Sequence, residues 1–172
     1  TKNITLTVST GSCTSTLTTV PVTVNTIPAL TITPDTSVCA GGSVSLTVSG
    51  ANSYVWSPSG SLNSASGSTV IATPDTTTIY MVTGSTSGCS AMDSLQVTVN
   101  PTPTSSFTAT SPVCVGQNST ITYTGTGTGV SVYAWSFDGG TVNSGSGQGP
   151  YTVTWSAGGV ANVSLVVTDN GC

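Results

Sequence analysis

Apolar residues alternate with serine and threonine along most of this chain. Val44, Leu46 and Val48 are interleaved with Ser43, Ser45, Thr47 and Ser49, the period of a strand with one buried face. Gly50-Ala51-Asn52 breaks that run, and Tyr54-Val55-Trp56 starts another. The same reading predicts strands at 3–9, 17–25, 30–33, 44–49, 53–57, 68–72, 78–84 and 94–100. It predicts further strands near 106–110, 119–124, 130–137, 151–155 and 160–168. Pro21 removes a ladder donor, so the strand over 17–25 belongs at an edge or at a bulge. Gly, Pro, Asn and Asp cluster between the strands, and the Gly-rich stretch 139–149 reads as a loop.

The pattern repeats. V-T-V-N occurs at 22–25 and again at 97–100, an offset of 75 that also separates Cys39 from Cys114. Cys13 and Cys89 are offset by 76, Cys89 and Cys172 by 83. Periods of this size mark tandem domains. The expected division is 1–26 as the closing hairpin of a preceding or strand-donating domain, 27–100 as one β-sandwich, and 101–172 as a second that lacks its last strand. The predicted fold class is all-β, with tandem Ig-like sandwiches. Trp56 and Trp135 each fall on the third strand of a repeat and are the expected core anchors. Tyr80 opens a strand after the Asp75 corner, where a tyrosine-corner residue belongs.

Composition narrows the function. Only 3% of the 172 residues are charged, against about 25% in ordinary soluble proteins. Lys2 is the one basic residue and the net charge is −4. Phosphate neutralisation needs lysine and arginine, so nucleic acid is excluded as a partner, and so are anionic membrane surfaces. No apolar run is long enough to insert as a membrane helix. Serine and threonine hydroxyls must wet the surface. A chain this poor in trypsin sites suits an extracellular or cell-surface location. The lack of a starting methionine and the strand-like residues at both ends suggest a processed piece or fragment.

Catalysis lacks its usual parts. There is no histidine and no glutamate, so no hydroxyl has an evident general base. The five carboxylates are all aspartates in turn sequences, where they cap backbone amides. Asp35, Asp75 or Asp138 could contribute oxygens to calcium, but such sites gather several carboxylates. The expectation is a non-enzymatic protein without a cofactor or metal.

Five cysteines, Cys13, Cys39, Cys89, Cys114 and Cys172, lie too far apart in sequence for a zinc site. Disulfides are the natural reading. The simplest scheme pairs Cys39 with Cys89 and Cys114 with Cys172, one bond per repeat, leaving Cys13 to a partner outside these residues. That scheme spans opposite ends of a sandwich, and a cross-repeat bond from Cys39 to Cys172 avoids the conflict.

The run V-C-A-G-G-S-V-S-L-T, then Y-V-W-S-P, T-T-T-I-Y-M-V-T, S-G-C-S and V-T-V-N-P, resembles the Ig-like repeats of Bacteroidota surface proteins. Y-A-W-S-F-D-G-G, with Y-T-V-T-W-S-A-G-G and V-S-L-V-V-T-D-N-G-C, resembles their polycystic-kidney-disease-type (PKD-like) domains. The usual Gly-Asp-Gly after the aromatic pair is replaced here by Asp138-Gly139-Gly140. The resemblance implies repeats of the kind found in gliding-motility adhesins and in enzymes exported by the type IX system. It makes Thr76 and Ser94 candidate O-glycosylation acceptors, in Asp75-Thr76-Thr77 and Asp93-Ser94-Leu95.

Trp155 interrupts the alternation of its strand. If exposed it is a candidate sugar contact; otherwise it is a packed edge residue. The functional expectation is a structural or adhesive segment of a secreted surface protein or extracellular filament. Its partners would be neighbouring repeats or subunits and surface glycans. Two alternatives stand beside it. One is a strand-complemented filament subunit, the other a spacer or carbohydrate-binding module attached to a secreted enzyme.

Overall fold

The computed structural model describes all 172 residues. It contains seventeen strands and no helix. They are β1 (Lys2–Leu6), β2 (Ser9–Thr10), β3 (Cys13–Thr14), β4 (Thr18–Val22), β5 (Thr31–Ile32), β6 (Thr36–Cys39), β7 (Val44–Ser49), β8 (Ser53–Ser57) and β9 (Thr69–Ala72). The rest are β10 (Thr78–Thr86), β11 (Cys89–Asn100), β12 (Phe107–Ala109), β13 (Ser119–Tyr123), β14 (Val132–Ser136), β15 (Thr141–Ser144), β16 (Tyr151–Thr154) and β17 (Ser164–Thr168). The chain forms two compact units. The first comprises Thr1–Thr36, Val44–Thr73 and Ile79–Val97; the second comprises Ser37–Ser43, Pro74–Thr78 and Thr98–Cys172.

Two sheets follow the opening hairpins, one in the order β5-β7-β9 and one in the order β6-β11-β10-β8. In immunoglobulin lettering these are A-B-E and A′-G-F-C, the two faces of an Ig-like sandwich. Alternation places Leu46 and Val48 from β7 and Val70 and Ala72 from β9 inside. Trp56 from β8, Tyr80 and Val82 from β10, and Leu95 and Val97 from β11 are buried from the other sheet. Gly50 turns the chain out of β7 with φ of 101°, a region that costs an L-residue strain. Strand β6 runs parallel to β11: Asp35 just before it accepts from the Gln96 amide, and Ala40 just after it donates to Asn100 O at 2.8 Å.

The later strands form a sheet in the order β12-β13-β16-β15 and a pair β14-β17, lettered A-B-E-D and C-F. Ile121, Tyr151 and Val153 form the core there, with Phe107, Trp135, Phe137, Trp155 and Val163 packed against it. Trp135 lies 5.1 Å from Phe107 edge to face and 5.8 Å from Phe137 nearly parallel, geometries that favour aromatic pairs.

Three differences from the sequence reading have local causes. Residues 141–144 form β15 inside the stretch read as a loop, because Val142 and Ser144 pair with β16 across a register shift. Thr36–Cys39 forms a strand of its own, hidden in the sequence because a four-residue strand beside a turn has too little pattern to register. Strand β11 starts at Cys89 rather than at 94, so the turn before it shrinks to Ser87-Gly88, both at positive φ.

Candidate interaction sites: cysteines, edges and an exposed hairpin

One disulfide is formed, between Cys39 and Cys172, whose Cα atoms are 5.6 Å apart across 133 residues of sequence. Both cysteines lie in the second compact unit. The scheme with one bond inside each repeat is therefore corrected. Cys39 sits beside Asn100, at the far end of the twelve-residue β11 that Cys89 begins. At about 3.3 Å per residue the ends of that strand are separated by roughly 36 Å, against a limit of about 7 Å between Cα atoms for a bridge. Cys114 cannot pair with Cys172, which is already bonded to Cys39. Cys13, Cys89 and Cys114 are free thiols in this chain.

The backbone treats the cysteines as two classes. Cys39 and Cys114 each precede a glycine turn, with Gly41 at φ 77° and Gly116 at φ 74°. The turn is closed in the same way: Gly42 N donates to Cys39 O at 2.8 Å and Gln117 N to Cys114 O at 2.9 Å. Cys89 and Cys172 each follow a two-residue turn with both residues at positive φ, Ser87-Gly88 and Asn170-Gly171. Cys13 follows Gly11-Ser12, where Gly11 alone is at positive φ, and pairs with Thr10.

The hairpin of β1 and β4 carries its apolar residues on one face, with Ile4 opposite Val20 and Lys2 opposite Val22. That face is uncovered. Ile4, Leu6, Val20 and Val22 are 64%, 67%, 58% and 39% exposed, while Tyr80, Val82, Leu95 and Val97, 75 or 76 residues on, are 0%, 0%, 2% and 0% exposed. Pro21 lies in a strand whose one partner is β1, the edge placement its missing donor requires. Strand β17 likewise has one partner, β14, whereas its counterpart β10 lies between β8 and β11.

Trp56, Trp135 and Tyr80 make bonds that the sequence did not reveal. Trp56 is 2% exposed and its Nε1 donates to Gly67 O at 3.0 Å. Trp135 is half-buried and its Nε1 donates to Gly147 O at the same distance, so both repeats tie the tryptophan to a loop glycine. Tyr80 is buried, but its hydroxyl bonds the Ser61 hydroxyl. It does not make the backbone bond of a tyrosine corner.

Trp155 is a packed residue. Its Nε1 donates to Phe137 O at 2.9 Å, its carbonyl accepts from Gly116 N, and the ring lies against the core. Part of it lines a cleft of about 410 Å³ with Pro112, Cys114, Asp138 and Val163. Asp138, at φ 49°, accepts the Asn162 amide at 2.9 Å. Thr76 and Ser94 are both exposed, and the Ser94 amide is capped by Asp93 at 2.8 Å.

The strand orders define the class of protein as all-β with an Ig-like sandwich fold. No family model and no curated protein matches the sequence. Among solved structures, the chain is similar to the insect immune protein hemolin, at 20% identity over 75% of this chain and 39% of that one, with a TM-score of 0.40. It is also similar to a chimeric titin Z1Z2 carrying a peptide from decorin, at 14% identity over 83% of this chain and 91% of that one, with a TM-score of 0.32. The chain thus spans well under half of hemolin's length.

Proposed function

We propose that this chain is a non-enzymatic structural or adhesive segment of a secreted, surface-displayed repeat protein. The observation that carries the reading is the Cys39–Cys172 bond between successive repeats. Such a bond shields the intervening chain from extension under load, which suits a stalk or fibre that bears force outside the cell. In this reading residues 1–26 close one module, 27–100 form the next and 101–172 form a PKD-like module. Partners are neighbouring modules of the same kind. Exposed Thr76 and Ser94 are available to O-linked glycans, and surface glycans are the adhesion target in this reading. The resemblance to Bacteroidota adhesins supports type IX export and a role in gliding motility.

Two measurements test this. Antibody against the chain should label intact, unpermeabilised producing cells. Single-molecule stretching should lengthen on reduction by about 460 Å, the extended length of a sequence separation of 133 at roughly 3.5 Å per residue. A protein found only inside the cell, or an extension indifferent to reductant, would sink the reading.

A second reading, a filament built by strand donation, is favoured by the open edge of β17. A strand equivalent to β11 would complete that sheet, and the segment 14–26 of another copy has the matching sequence. Donation requires β4 to exchange its pairing with β1 for pairing with β17. Native polymers that fall to single chains on denaturation without reductant would support it. A long polypeptide that stays whole would count against it.

A further inference from the structure

We infer that the Cys39–Cys172 bond is one rung of a repeating cross-link: the cysteine at each A′–B turn bonds the F–G-turn cysteine of the following module, and Cys89 and Cys114 carry the adjoining rungs. The inference rests on the reading of the chain as a repeat-built structural segment.

Three observations converge on it. The turn classes match, so Cys114 presents its thiol from the same backbone as Cys39, and Cys89 from the same backbone as Cys172. The surroundings of Cys89 reproduce half of the observed rung. In the formed rung, Asn100 at the end of β11 accepts from Ala40, next to Cys39. Asn25 is the repeat equivalent of Asn100, and the Cys89 sulfur already lies 3.7 Å from Asn25 O, while Asn25 Nδ2 donates to Ser87 O at 2.7 Å. Finally, β4, which leads to Asn25, has an unpaired edge. A strand laid on it as β6 lies on β11 would bring its own cysteine to Cys89. The required partner is therefore another module of this kind, carrying V-C-x-G at its A′–B turn. Cys114 requires the complementary one, a cysteine after a two-residue F–G turn.

Closing each rung joins two thiols in one S–S bond and releases two protons and two electrons. A disulfide oxidant, either a thiol oxidase or a small-molecule disulfide, accepts them and leaves as a dithiol. The partner module can belong to the same polypeptide or to a second copy, and the chemistry is the same for both.

The test is disulfide mapping of the native protein, with free thiols alkylated before denaturation. Cleavage at aromatic residues, leucine and methionine puts the five cysteines on separate peptides, since residues such as Leu6, Leu17, Leu46, Met92, Tyr123 and Leu165 separate them. The expected result is Cys89 joined to a V-C-x-G peptide and Cys114 joined to a Gly-Cys or Ser-Cys peptide. If the partner is a second copy, Cys89 and Cys114 are joined to each other between chains, and reductant lowers the denatured mass by whole-chain steps. If it is the same polypeptide, the partner peptides differ from these and the mass is unchanged. Alkylated Cys89 and Cys114 beside an intact Cys39–Cys172 bond would overturn the inference, even on a protein that labels intact cells. Failure of surface labelling would instead remove the functional reading.

Discussion

Cys39 and Cys172 are covalently joined across a sequence separation of 133, and this one bond closes most of the chain into a loop. In the chain-entropy account a loop of that size is worth about 5 kcal/mol, with measured disulfides more often at 2–4. Cys39→Ser and Cys172→Ser should each lower the unfolding free energy by about 2–5 kcal/mol. The double variant should be no worse than either single one, because both remove the same bond. Cys13→Ser, in the isolated 172-residue chain, should change nothing. Urea unfolding of the four proteins checks this; unequal single variants would show that the cysteines stabilise by something besides their bond.

Trp56 and Trp135 make the same hydrogen bond in two modules, to Gly67 O and Gly147 O. Trp56→Ala should cost about 3–5 kcal/mol, as for other buried tryptophans. Trp56→Phe keeps much of the ring and loses the N–H, leaving the Gly67 carbonyl without its donor, a cost of about 1–3 kcal/mol. Trp135→Ala should unfold the aromatic cluster with Phe107, Phe137 and Tyr151 and quench its near-ultraviolet dichroism. Circular dichroism and denaturant titration report both effects.

The alternation of Val44, Leu46 and Val48, and the tryptophan eight residues on, made the sandwich legible. Side-chain period and bulk decide burial there, and both are written in the residue types. The repeat offset of 75 made the equivalence of Cys39 and Cys114 legible as well. What stayed hidden depends on partners distant in sequence. Thr36–Cys39 is a strand because β11 lies beside it, and Thr141–Ser144 is one because β16 does. The choice of Cys172 over Cys89 as partner for Cys39 follows from the parallel course of β6 along β11, which no local pattern encodes. Trp155 broke the alternation and so drew attention as a sugar contact; its indole is committed to Phe137 O.

Gly50 leaves β7 at φ 101°, and a Cβ there would stand 1.8 Å from the carbonyl oxygen of Ala29. A backbone oxygen cannot swing aside as a side chain can, so Gly50→Ala must displace the β5 segment. The expected cost exceeds the roughly 1 kcal/mol of a simple positive-φ penalty and should reach about 2–4 kcal/mol with the steric term. Gly41→Ala meets nothing within 4 Å and should cost only the conformational part. Thermal melts of the pair separate the two contributions.

Trp155 supports a clear separation of packing from binding. Because its ring lies on the Ile121–Tyr151–Val153 core and its N–H is bonded, Trp155→Ala should destabilise by about 2–4 kcal/mol. Trp155→Phe retains most of the packing and loses the bond to Phe137 O, at about 1–2 kcal/mol. A glycan array read with the folded Phe variant then isolates any contribution of the indole to sugar binding. Equal binding by the Phe variant and the parent would remove Trp155 from the list of sugar contacts.

The hairpin face of Ile4, Leu6, Val20 and Val22 is open, while the equivalent Tyr80, Val82, Leu95 and Val97 are core. The same sequence pattern therefore sits in two environments, and a charge should act differently in each. Val82→Asp buries a carboxylate with no partner and should unfold its sandwich, since an unpaired buried charge costs several kcal/mol. Val20→Asp meets water and should leave the unfolding midpoint of the isolated chain within about 0.5 kcal/mol. If the hairpin is completed by another module, Val20→Asp must instead abolish that association, because the aspartate would then be buried as at position 82. Sedimentation of parent and variant over a range of concentrations reads this directly. Self-association that survives Val20→Asp would show that the hairpin face is not the surface through which modules meet.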